Sequence, residues 1–105
     1  MTIQVVNGSE CYAPFSCLDT SGVAFTPSSL SYQVWDRTNR IEVVPPTTVT
    51  AAQTGTITLD STVNTMSPSS VTFEERRLTL KIGIPGGSYE ILETTYTLVR
   101  YEGTP

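Results

Sequence analysis

The chain has no histidine and a single lysine, Lys81, and only 15% of its 105 residues are charged. Without histidine, the side chain that most often moves protons near neutral pH is missing, and a serine nucleophile lacks its usual base. Two cysteines and no histidine fall short of a zinc donor set. No apolar run approaches the roughly 20 residues that a membrane-spanning helix needs. Residues 2–6 are too short and too polar for the core of a secretory signal, and no basic segment precedes them. The expectation is a protein made in the cytoplasm, soluble and without a signal peptide. Asn7-Gly8-Ser9 matches the glycosylation acceptor pattern, which in that setting is a chance match.

Positive charge is scarce as well. Ten carboxylates against six basic residues give a formal net charge of −4. Nucleic-acid binding depends on Lys and Arg neutralising phosphates, and here Arg76-Arg77 is the only adjacent basic pair, so a nucleic-acid partner is not expected. Glu74-Glu75 is the only adjacent carboxylate pair, and on a strand those two side chains point to opposite faces. Asp60 and Glu90 have no spacing that marks a glycosidase pair. Gly86-Gly87 has no helix after it and reads as a hairpin turn rather than an anion nest. These absences predict no catalytic residue, no cofactor, no metal and no enzymatic activity.

What the chain does have is strand grammar. Apolar residues make up 38%, and Ser and Thr together number 29. Thr is β-branched and suits a pleated face without adding core volume. In residues 30–59, Leu30, Tyr32 and Val34 alternate with Ser31, Gln33 and Trp35, the period of two that makes one sheet face apolar. Polar residues 37–40 lead to Ile41, Val43 and Val44, and after Pro45-Pro46 alternation resumes over residues 55–59. Before this block, residues 2–6 and 10–18 read as strands, the second with Pro14 inside it and therefore at an edge or a bulge. After it, Val63 and Met66 are expected to plug the end of the fold within a polar connection over residues 60–70. Leu78, Leu80 and Ile82 then alternate with Arg77, Thr79 and Lys81, and residues 89–92 lead into 94–101 with Tyr96 and Leu98 inward. About seven strands spaced by turns predict an all-β, immunoglobulin-like (fibronectin III-like) antiparallel β-sandwich. It fills a single domain, residues 1–105, with a frayed tail over 102–105.

Several residues carry a binding reading beside a structural one. Trp35 is out of phase with Tyr32 and Val34, so it is either an exposed interface anchor or a buried strand tryptophan shifted by a bulge. Arg76 and Arg77, with Glu74 and Glu75, are either an assembly contact or a solvated strand entry. Tyr89, Tyr96 and Tyr101 either continue a contact surface or close the sandwich. The interface candidates are therefore Trp35, Arg76, Arg77 and Tyr101. Pro45-Pro46 reads as a rigid exit from an edge strand in preference to a recognised extended motif. Cys11 and Cys17, six residues apart, would have Cα atoms about 20 Å apart in one extended strand, so they read as buried free thiols.

Three pieces in order, residues 19–27, the segment Ser31-Tyr32-Gln33-Val34-Trp35-Asp36, and residues 56–59 followed by Asn64-Thr65-Met66 and residues 73–77, resemble small immunoglobulin-like phage virion proteins. The resemblance implies a virion structural accessory protein, of the capsid decoration or cement, head–tail or tail adaptor kind. Its partners would be other virion proteins, met in multiple copies within a symmetric assembly, and its location the virion. It implies no catalytic residue. The alternative is a host- or glycan-binding adhesion module on a phage tail or cell surface, which would need Trp35 and tyrosines on one exposed platform.

Overall fold

The computed structural model describes residues 3–66 and 73–99 of the protein. Within them the chain forms seven strands and no helix: β1 (Ile3–Val6), β2 (Cys11–Ser16), β3 (Ser29–Asp36), β4 (Ile41–Thr48), β5 (Thr54–Leu59), β6 (Phe73–Gly83) and β7 (Tyr89–Val99). One sheet has five strands in the order β1-β7-β6-β3-β4, and β2 pairs with β5 in a second. Contacts are antiparallel except one: β1 runs parallel to β7, with Val5 beside Leu98. The expectation of a wholly antiparallel sandwich fails at that pair, since alternation encodes which face a residue takes and not which way its neighbour runs.

Parity along the strands builds the core. Leu30 and Val34 of β3, Leu78, Leu80 and Ile82 of β6, and Tyr96 and Leu98 of β7 face inward and are buried, meeting Ile57 and Leu59 of β5. Met66 is buried, and Val63 packs against the same cluster, so the expected plug is in place. Residues 89–99 form one continuous strand rather than two pieces. The hairpin before it turns through Gly86 and Gly87, whose φ values of 110° and 106° would strain any other residue.

Proline positions follow the edges. Among the described residues β2 has only β5 as a sheet neighbour, so Pro14 is tolerated there. Pro45 and Pro46 do not end β4 as expected; they lie inside it, on the outermost strand of the larger sheet, beside register shifts against β3. The two thiols are free: Cys17 is buried and Cys11 half-buried. Cys17 points its Sγ at the Ala52 carbonyl, 3.8 Å away, while Cys11 Sγ accepts from Asn64 Nδ2 at 3.4 Å. They serve different neighbourhoods.

Candidate functional site

The densest polar cluster among the described residues is internal. Counting back by twos from Leu78 puts Arg76 and Glu74 on the inward face of β6, and they are only 2% and 0% exposed. Arg76 donates through Nε to Glu74 Oε1 at 2.7 Å, and through its terminal nitrogens to the carbonyls of Val63 (2.6 Å) and Thr65 (3.0 Å). Asp36, on β3, is the register partner of Arg76 and is 2% exposed. Its carboxylate accepts from the backbone N–H and the side-chain amide of Asn39, and that amide also donates to Glu74. Burial pushes the Asp36 carboxyl up. The Asn39 hydrogen bonds, one shared with the Glu74 carboxyl and the Arg76 charge outweigh it, so the group titrates below the usual carboxylate range.

A second knot adjoins the first. Tyr96 Oη donates to Asn64 Oδ1 at 2.9 Å, and burial is the main reason its phenol is pushed up to about 12. Asn64 in turn donates to the carbonyls of Ser9 and Leu59. These groups spend their hydrogen-bonding capacity on strand ends and connections. The cluster clamps the end of the sandwich and has no open face for a substrate.

The outer face of the larger sheet carries Trp35 and Arg77, which are register partners across β3 and β6. Trp35 is half-buried there, beside Glu42 of β4. The bulges belong to the β3–β4 pairing, while β3 keeps unbroken register with β6, so Trp35 is not shifted into the core. Arg77 is half-buried, and its Nε is buried without a hydrogen-bond partner. Arg37 and Glu75 form an exposed ion pair nearby.

The sequence candidates thus separate. Trp35 and Arg77 come together; Arg76 is withdrawn from any contact surface, its guanidinium held inside by Glu74 and two carbonyls; Tyr101 lies outside the described residues. The aromatics do not converge with Trp35 either. Tyr12 stands on the two-stranded sheet, Tyr96 is buried, and Tyr89 pairs with Gly83, six residues along β6 from Arg77, about 20 Å at strand rise.

The exposed apolar surface concentrates elsewhere. On β7, Tyr89 and Ile91 lie on the outer face of the larger sheet, 57% and 49% exposed, while Leu92 takes the inward parity and is 53% exposed, with Leu18, 57% exposed, on the other wall of a groove. Between β2 and β7 the sheets gape into a groove of about 560 Å³ bordered by Cys17, Leu18, Phe25, Ile82 and Leu92. A smaller one of about 280 Å³, bordered by Phe15, Leu80 and Leu92, adjoins it. Sequence reasoning missed this site, although the signal was visible in part: residues 89–95 alternate poorly, with Ile91 and Leu92 adjacent. Among the described residues no group of three or more His, Cys, Asp or Glu side chains is placed to hold a metal ion, and no helix is long and apolar enough to cross a membrane. Comparison with protein-family models, with curated proteins and with solved structures finds no match.

Proposed function

We propose that this chain is an immunoglobulin-like sandwich acting as a structural accessory protein of a phage virion, joined to neighbouring virion proteins through its β surfaces and repeated in a symmetric assembly. The topology supports the fold assignment: a first strand parallel to the last, which lies in the larger of two facing sheets, with the smaller sheet built from the second and fifth strands. The resemblance in residues 19–27, 31–36, 56–59, 64–66 and 73–77 supports the virion setting.

One observation carries the binding role. Exposed apolar side chains occur on both faces of β7, Tyr89 and Ile91 outward and Leu92 inward toward Leu18, while Asp36, Glu74 and Arg76 are sealed in an internal cluster. Apolar exposure grouped in this way marks a contact surface. Symmetric copies would multiply weak individual contacts into firm attachment. The test is co-sedimentation of the purified protein with particles of its own system, together with its stoichiometry to the major shell protein. A fixed ratio to the shell protein is expected; a protein that stays in the supernatant overturns the virion reading. An adhesion module would need aromatic residues on one platform, and the separation of Trp35, Tyr12 and Tyr89 weighs against it.

A further inference from the structure

The pairing of β6 with β7 fixes which way each β7 side chain points. Glu90 is the register partner of Ile82, Leu92 of Leu80 and Thr94 of Leu78, and those three partners are buried. Residues directly opposite share a face, so Glu90 is a carboxylate on the inward side of the larger sheet, in the wall of the groove of about 560 Å³. Lys81 takes the other side. It pairs with Ile91, which points outward, and lies over the Tyr89 ring at 4.4 Å, so the sheet itself stands between it and Glu90. Among the described residues Glu90 has neither an ion pair nor a hydrogen bond.

The rest of the groove is mainly apolar. Cys17 and Ile82, 2% and 5% exposed, are its most buried members, with Leu18, Phe25 and Leu92 beside them. A second carboxylate, Asp19, is already engaged: its Oδ1 accepts from the N–H groups of Ser21 and Val23, each at 2.9 Å. No described Lys or Arg borders this groove or the smaller one next to it.

Two costs decide what such a site accepts. An apolar body laid against Leu92 takes water away from the Glu90 carboxylate, which is unfavourable unless a positive charge arrives with it. A length of polypeptide carries a donor and an acceptor on nearly every residue, and the walls have few groups to meet them. The backbone of β6 is committed to ladders with β3 and β7 on its two sides. A small molecule with one positive charge and an otherwise apolar body avoids both costs. The groove's volume lies in the range of small-ligand sites, roughly 300–1,000 Å³. The smaller groove continues past Leu92 to Thr94, about 13 Å from Glu90 at strand rise, so an elongated body has room.

We infer that the groove between β2 and β7 binds a small organic amine, with its ammonium group against Glu90 and its aliphatic or aromatic body on Leu18, Phe25, Ile82 and Leu92. The carboxylate sets the charge of the ligand and the walls set its apolar character. The virion role does not depend on this site, nor the site on that role.

The probe is octylammonium, compared with octanol and octanoate at pH 7, each added to the full chain and followed by NMR of methyl and backbone-amide signals. Octylammonium should saturate a single site with shifts at Leu18, Ile82 and Leu92, and should bind about ten-fold more tightly than octanoate or better, as expected for a hydrogen bond between charged groups. Glu90→Gln, a change at an exposed position, should weaken octylammonium by about the same factor and leave octanol unchanged, and Glu90→Asp should restore part of the preference. Leu92→Ser should weaken octylammonium and octanol alike. Amide signals of β4, away from the groove, report whether a variant keeps its fold, and the three ligands on the wild-type chain decide the matter even where one does not. No saturable binding of octylammonium, equal binding of octylammonium and octanoate, or shifts confined to another face overturns the inference. So does a folded Glu90→Gln protein that keeps the full preference for the amine. Particle co-sedimentation tests the virion role separately, and either result can fail while the other stands.

Discussion

Asp36 and Arg76 face each other across β3 and β6, both inward and both 2% exposed, with Glu74 completing the charge balance two residues along β6. Three charged groups are therefore held in an interior built mainly from apolar side chains. Their cost of desolvation is met by hydrogen bonds from Asn39 and by the carbonyls of Val63 and Thr65, which bind this cluster to the turn after β3 and to the connection after β5.

Removing one partner of this cluster leaves the others buried and uncompensated. Arg76→Met is expected to cost about 3–5 kcal/mol in urea unfolding, the range for a broken buried pair. Glu74→Leu combined with Arg76→Met should cost less than the sum of the two single changes, with a coupling of about 0.5–3 kcal/mol. Strict additivity would show that the two groups do not act as a pair.

Acid should weaken the fold through Asp36. Its carboxyl titrates below the usual range in the folded chain and near 3.9 when unfolded. The stabilisation it supplies is therefore present above about pH 4 and is lost as pH falls through the lower folded value. Urea midpoints of wild type and Asp36→Asn measured from pH 7 down to pH 2 should converge at the acid end. Parallel curves across that window would contradict the assignment.

Alkali should act through Tyr96. Its phenol is raised from 10 to about 12 by burial, so between these values the unfolded chain gives up a proton that the folded chain keeps. Stability is unaffected by this group below pH 10 and declines as pH rises toward 12, by about 2–3 kcal/mol for a shift of this size. Tyr96→Phe loses the bond to Asn64 at every pH but should remove this alkaline decline, which guanidinium unfolding at pH 8 and pH 11.5 would reveal.

Gly83 ends β6 against the start of β3. A Cβ added there would meet the Ser29 hydroxyl at less than contact distance, the Ser28 Oγ at 2.7 Å and the Ser29 backbone nitrogen at 3.0 Å. The hydroxyls can rotate away, but the backbone cannot, because Ser28 N–H donates to the Gly83 carbonyl at 2.8 Å. Gly83→Ala is expected to cost about 1–3 kcal/mol in thermal or urea unfolding. A neutral result would mean that β3 shifts freely at this point.

Much of the fold was legible in particular residues. Leu30/Tyr32/Val34, Leu78/Leu80/Ile82 and Tyr96/Leu98 each announced a strand and the face it buries. Asp36, Arg76 and Glu74 carry the same parity as those residues, so their inward direction was also readable. It was overlooked because charged side chains so seldom lie fully inside a protein, and composition argued for a solvated strand entry. Trp35 was readable as outward by the same count. That it is half-buried depends on its cross-strand neighbours, Glu42 and Arg77, and the spacing of one strand says nothing about those.

The alternation of apolar and polar residues, with Gly and Pro between runs, was enough by itself to determine seven strands, no helix among the described residues, and which side chains share a face, since a pleated backbone sends successive side chains to opposite sides whatever surrounds it. Tertiary structure alone decided which strands are neighbours, that β1 is parallel to β7, and that β2 stands off far enough to open a groove. Pairing and coverage depend on contacts between residues as distant in the chain as Val5 and Leu98, and local periodicity carries no information about that separation.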